Sequence, residues 1–253
     1  MPRSPRAARR AAKSGPPHDT ASLRAAITAA RLPGSPPQVT EQARTLLLGW
    51  LDPSRPFADA VRDLASGKAA RTIGLALLDR TPEPPGLDCK SGCAFCCILP
   101  GDDGGTVTAT EARTLHAALT PLQNTPDGSQ WHPQACPALD PATRLCRAYA
   151  ARPMICRTYV SRDVTACEAI AEGQAKPGTG TLPAQIITIT VHALARAALH
   201  GTTPVHTYNL RAIATAALRG TPAPDALKSA RHSPKSLDAE RRRLARGLTR
   251  GAG

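Results

Sequence analysis

The chain has 253 residues and a formal net charge of +13, and its Leu, Ile, Val and Phe together make up only about 17% of it, a level that with high net charge falls in the disordered range. The 42% hydrophobic fraction does not restore a well-filled core, because 46 of those residues are Ala, each burying little area. The charge is uneven: residues 1–18 hold five bases and no acid and residues 228–253 hold eight bases against Asp238 and Glu240, so the ends read as solvated, mobile tails while the middle is near neutral and able to fold.

In chain order, residues 1–18 read as a disordered basic tail closed by Pro16 and Pro17. Residues 19–83 read as a helical region. An Ala-rich helix runs from Thr20 to Pro33, and a second places Leu46, Leu47, Trp50 and Leu51 at three- and four-residue spacing before Pro53. A third carries Phe57, Val61 and Leu64, and a fourth, after Gly67, carries Ile73, Leu77 and Leu78. Residues 84–172 change texture: prolines and glycines bracket a dense cysteine cluster, and Asp102-Asp103-Gly-Gly reads as a turn. Thr108 and Glu111 form a capping box that opens a helix through Leu119, followed by a polar loop to about Gln134. After a Gly/Pro loop at 173–181, residues 182–227 read as helices packing on the core. One spans Leu182–Leu199 despite its IITITV run, and one spans Thr207–Leu218 with a stop at Gly220. Residues 228–253 form the second basic tail. The expected fold is mainly α: a helical platform, a loop-rich metal-binding domain and disordered ends. No stretch approaches the ~18 apolar residues of a membrane span. The basic N-terminus has no apolar run behind it, so a cytoplasmic location is expected.

All eight cysteines lie between 89 and 167. Cys89, Cys93, Cys96 and Cys97 are spaced i, i+4, i+7, i+8, which on a helix started by Pro84 and Pro85 aligns four thiols on one stripe. Free amides at a helix start favour thiolate. Cys136, Cys146, Cys156 and Cys167 follow with an internal echo: Cys146, Arg147, Tyr149 and Arg152, then Cys156, Arg157, Tyr159 and Arg162. Those arginines can offset repulsion between thiolates, and donors to sulfur raise the potential of an iron–sulfur centre; the plainer alternative is a solvated surface. A disulfide framework suits an even count but not adjacent Cys96-Cys97 in a reducing compartment. Cysteines as small buried hydrophobes explain one or two positions, not eight. Metal ligation explains them all, by zinc or by iron, including a [4Fe–4S] cluster. His116 and His132 are weaker candidates. The P-loop, dinucleotide fingerprint and nucleophile elbow are absent from the sequence.

These blocks resemble the zinc- or iron-chelating cysteine-cluster proteins of the YkgJ type. That family's signature is C-x(2,3)-C-x2-C-C, then C-P-x-L, C-x-x-Y and R-P-x-x-C-R. Here it stands as Cys89-x3-Cys93-x2-Cys96-Cys97, Cys136-Pro137-Ala138-Leu139, Cys146-Arg147-Ala148-Tyr149 and Arg152-Pro153-Met154-Ile155-Cys156-Arg157. The resemblance implies a metal on these cysteines and leaves the reaction open. Some relatives, the flagellin lysine methylases, look like iron–sulfur proteins, so a methyl- or electron-transferring enzyme acting on a protein is the alternative. Cys89, Cys93, Phe95 and Cys96 also satisfy the pattern of radical S-adenosylmethionine enzymes, whose parallel barrel needs more strands than this sequence offers. A zinc-stabilised nucleic-acid binder is a third reading; the tails lack interleaved aromatics, so nucleic acid is not the expected partner.

Overall fold

The computed structural model describes residues 15–98, 104–174, 176 and 179–250, with the backbone alone at 179 and 248–250. Most of the N-terminal tail and the Asp102-Asp103 turn lie outside these residues; Pro17, within the tail as read from sequence, is buried.

Four helices open the fold: α1 (Thr20–Ala29), α2 (Pro37–Trp50), α3 (Phe57–Ser66) and α4 (Lys68–Arg80). The expected periodicities form them. Asp19 caps α1 by accepting from the Ser22 amide at 2.7 Å, while the Ser22 hydroxyl reaches back to Asp19. Prolines stand at or just before the starts of α2 and α3, where a missing amide hydrogen costs nothing. Their apolar faces, including Leu23, Ile27, Leu47, Leu51, Leu64 and Ile73, close on a fifth element, α8 (Pro183–Ala198). Each leucine fully buried there contributes ~2–3 kcal/mol. Helix α8 is buried on nearly every side. Packing on all faces therefore overrides the weak helix preference of its β-branched residues, and the Thr188 hydroxyl returns its hydrogen bond to the Ala184 carbonyl at 2.8 Å.

A second core joins the cysteine-rich stretch to the helices that follow it. Strand β1 (Thr106–Thr108) leads into α5 (Ala109–Leu119), capped by the expected Thr108/Glu111 box. Short α6 (Met154–Thr158), β2 (Tyr159–Ser161), α7 (Val164–Ala171) and β3 (Thr179–Thr181) follow. Antiparallel pairing joins β2 to β3 and joins β1 to β4 (Thr207–Asn209), with Val107 opposite Tyr208. Val107, Leu115, Leu119 and Leu139 pack against Leu210, Ile213 and Leu218 of α9 (Leu210–Leu218) and Ala226 of α10 (Ala223–Ser229). Among the described residues the strands are three residues long and pair antiparallel in twos, so they build no parallel barrel.

Three expectations need correcting. Residues 207–209 are strand rather than helix; Asn209 ends it and caps α9, accepting from the Ala212 amide at 2.8 Å. The loop expected at 173–181 ends in strand β3, because residues 179–181 find the backbone of β2. The C-terminal basic tail is mostly helix α11 (Ser236–Arg250). Leu237, Leu244 and Ala245 lie at i, i+7 and i+8 and pack on Ile186, Ile189 and Ala193 of α8. Arg241 is buried, donating to the Pro33 carbonyl at 2.8 Å, and Arg196 meets Asp238 at 2.6 Å. Net charge concealed an apolar stripe flanked by arginines that reach Asp238 and the distant Pro33 carbonyl. Among the described residues no helix is long and apolar enough to cross a membrane.

Candidate metal centre

The cysteines do not stand on a helix. Residues 89–94 form an irregular turn, with Gly92 at φ +79° and Ala94 at φ +53°, and only Phe95–Cys97 make a single 3-10 turn. Two left-handed residues within three positions break any α-helical stripe. The consequence is a different partition of the thiols. Cys89, Cys93 and Cys96, with Cys167 from α7, line a cavity of about 20 Å³ together with Asp88, Tyr159, Ser161 and Val164. Cys97 instead faces the second core, as do Cys136, Cys146 and Cys156. Each quartet thus takes three cysteines from one sequence block and one from the other.

Backbone bonds hold both sets. The Ser161 amide donates to the Cys89 sulfur at 3.3 Å, and the Asp88 amide donates to the Ser161 carbonyl at 3.0 Å. Asp88 also accepts from the Val164 amide at 3.0 Å, at the start of the helix that carries Cys167. That bond is the main reason its carboxyl titrates below the ordinary range. In the other quartet the Cys136 amide donates to the Cys97 carbonyl at 2.8 Å, and Leu139 bridges to Cys146. Cys156 sits on α6.

All eight cysteines are free thiols. Burial pushes Cys136 up to about 12 and raises Cys146, Cys156 and Cys167, with neighbouring thiols adding to each rise. Cys96 and Cys97 share a proton: the Cys97 thiol donates to Cys96, which holds Cys96 down to about 7 and Cys97 well above the ordinary value. Such a set cannot become fully anionic by itself, because each thiolate opposes the next in a poorly solvated site. A soft divalent cation removes that opposition, so the donor chemistry fits zinc or iron. Among the described residues no three His, Cys, Asp or Glu side chains close into a finished ligand cage; the cavity four and the core four meet at Cys96, which lies against the Cys97 thiol and whose charge also raises Cys146 and Cys156.

The flanking residues divide by role. Arg152 attracts charge on Cys96 and Cys146, and Arg147 does so on Cys146. Arg157 is spent on the backbone, donating to the Arg152 carbonyl at 2.9 Å and the Ala150 carbonyl at 2.6 Å. Tyr149 is 64% exposed with the Arg152 guanidinium 3.5 Å from its ring centre, whereas Tyr159 lines the cavity. His116 is a satisfied core residue, its Nε2 2.8 Å from the Thr221 carbonyl. The Nδ1 of His132 accepts from the Gln134 amide at 3.1 Å, and the ring does not line the cavity. Sequence reading missed Asp88 and Ser161, which hold Cys89 and α7. It also missed Arg211, whose charge opposes the rise at Cys136 and whose guanidinium donates to the Gln134 carbonyl at 2.6 Å. The position of Asp88 beside the first cysteine was its only available signal.

No curated protein and no solved structure matches the chain. A family model does match, over residues 88–175, and its description is "Putative zinc- or iron-chelating domain". That segment begins one residue before Cys89 and takes in every cysteine, so the cysteine-rich stretch of this chain is similar to the CxxCxxCC family over 88–175.

Proposed function

We propose that residues 88–175 bind two zinc or iron ions, one on Cys89, Cys93, Cys96 and Cys167 and the other on Cys97, Cys136, Cys146 and Cys156. The observation that carries this reading is the division of the eight thiols into one four that lines a cavity and one four that packs on the second core. Four thiolates make a complete tetrahedral donor set for either metal. When bound, such an ion supplies folding energy, ~10–16 kcal/mol for structural zinc. The chain's own residues supply the rest. Arg147, Arg152 and Arg211 face the excess negative charge that four thiolates leave on a divalent ion. Ser161 and Asp88 fix the backbone from which Cys89 and Cys167 reach inward.

A second reading has one specific observation behind it. Cys89 and Cys96 are exposed, so the cavity quartet has an open edge where a [4Fe–4S] cluster could meet a protein substrate, as an iron–sulfur-dependent methyl- or electron-transferring enzyme requires. Anaerobic purification with metal and acid-labile sulfide analysis tests both. Metal without sulfide and without visible colour supports the two-ion site with zinc, and brown protein bleached by dithionite supports the cluster. Protein holding neither metal nor sulfide, and gaining no structure on reconstitution, contradicts both readings.

A further inference from the structure

One face of α4 is built against the cysteine-rich stretch. Gly67 at its N-cap, Arg71 and Gly74 are spaced i, i+4, i+7. A Cβ at Gly67 would stand 2.4 Å from Cβ of Thr108, and one at Gly74 would stand 2.2 Å from Oγ1 of Thr188 and 2.8 Å from Cε of Met154. The two glycines therefore let the α4 backbone come against the capping box on one side and α6 on the other. Between them Arg71 reaches across. Its Nη1 lies 3.5 Å from Oε1 of Glu111 and donates to the Arg152 carbonyl at 3.2 Å.

Glu111 does more than close its own capping box. Its Oε2 accepts from the Thr108 amide and hydroxyl, each at 2.9 Å, while Oε1 accepts from the Met154 amide at 2.7 Å. Helix α6 begins after Pro153, which offers no side-chain cap. Glu111 from another helix thus satisfies a free amide in the first turn of the helix that carries Cys156. Glu111 is buried, at 4% side-chain exposure, and Arg71 is half-buried, at 13%. A buried ion pair is poor value as stability alone. What this one touches is the backbone at Arg152 and Met154, the two residues that flank Pro153 and lead to Cys156.

We infer that Arg71 and Glu111 are positioning residues of the metal centre, holding the 152–156 backbone so that Cys156 meets the thiols of Cys97, Cys136 and Cys146. The inference rests on the metal-site reading above. It also extends the site beyond the matched segment, because Arg71 lies in the helical platform and α4 becomes part of the scaffold that a ligand set at 88–175 needs.

The test is an anaerobic cobalt(II) titration of the full chain. Cobalt reports thiolate number and geometry through its charge-transfer and d–d absorption, which general destabilisation does not alter in folded protein. The variants are Glu111→Gln, Arg71→Met and Arg71→Lys, with Ile27→Val as a remote core-thinning control. All are read at a temperature where circular dichroism shows each one folded. Glu111→Gln and Arg71→Met are expected to lose about 10–100-fold in cobalt affinity at one of the two sites, as loss of groups that orient ligands does, and to shift that site's d–d envelope. Arg71→Lys should lose less, and Ile27→Val nothing. Wild-type affinity and spectrum in Glu111→Gln and Arg71→Met, or an equal loss in Ile27→Val, would overturn the inference. Should the first two fail to fold, Arg71→Lys decides alone: an unchanged affinity and envelope overturns it. A wild-type chain that takes up no cobalt contradicts the metal site itself, a failure distinct from variants that bind as the wild type does.

Discussion

The helical platform and the cysteine-rich stretch solve the same problem with different material. Around α8 the chain spends its leucines and isoleucines, and Leu23, Ile27, Leu47, Leu51, Leu64 and Leu194 are wholly buried in one cluster. In the cysteine-rich stretch the buried positions before β4 are largely Ala, with Cys136 among them and Cys97, Cys146 and Cys156 packed against them. Alanine and thiol surface cannot match a leucine core. The difference teaches that the cysteine-rich stretch fills its core with smaller side chains than the platform does, and that under the metal-site reading its thiols supply a second source of stability.

The largest effect should separate the two regions outright. Stripping metal anaerobically with a chelator removes a contribution on the order of 10 kcal/mol. Amide hydrogen exchange should then quicken across 88–167 while α8 and α2 stay protected; uniform loss of protection over both regions would break the comparison. Next comes the reverse lesion. Leu194→Ala in α8 should cost ~2–5 kcal/mol, seen as a lower denaturation midpoint of equal size in loaded and stripped protein. A loss confined to the loaded form would mean that the platform is not an independent source of stability.

Acid sharpens the contrast from the platform side. His192 is fully buried on α8, its Nε2 lies 3.2 Å from the His206 carbonyl, and burial holds its pKa down to about 4. Among the described residues Nδ1 has no hydrogen-bond partner, so a protonated ring would bury an unpaired donor. Because the folded value lies below the unfolded 6.5, the stabilisation is complete above pH 6.5 and is lost as pH falls from there toward 4. The loss amounts to about 3 kcal/mol. A His192→Gln variant should flatten that part of the stability profile, and an unflattened curve would assign the acid sensitivity elsewhere. The smallest effect is Asp19→Ala, which removes the α1 cap at a cost of ~1 kcal/mol in the unfolding midpoint and should leave metal content unchanged.

The sequence made much of the platform legible because helix periodicity and caps are local. Leu46, Leu47, Trp50 and Leu51 announce α2, and Thr108 with Glu111 announces α5, within a few residues each. The C-terminal helix was hidden for a complementary reason: a count of charges over 228–253 is blind to Leu237, Leu244 and Ala245 falling on one side. At the metal centre the residue types were legible but their pairing was not. Which thiols share a neighbourhood depends on Gly92 and Ala94 turning the chain and on the Cys97 carbonyl meeting the Cys136 amide across 39 positions. No local pattern records that exchange of Cys97 for Cys167. The second bond of Glu111, to Met154, is likewise a contact across 43 positions with no trace in spacing.

The central claim is the partition of the eight thiols into two interlaced quartets. Its most direct test is metal stoichiometry, measured anaerobically on full-length Cys97→Ser/Cys136→Ser and Cys89→Ser/Cys167→Ser double variants and on the Cys97→Ser/Cys167→Ser variant. The partition predicts that each of the first two loses one site and keeps the other, while the third damages both. If Cys97→Ser/Cys167→Ser spares a site, or either of the first two pairs abolishes all metal binding in folded protein, the interlaced arrangement is contradicted.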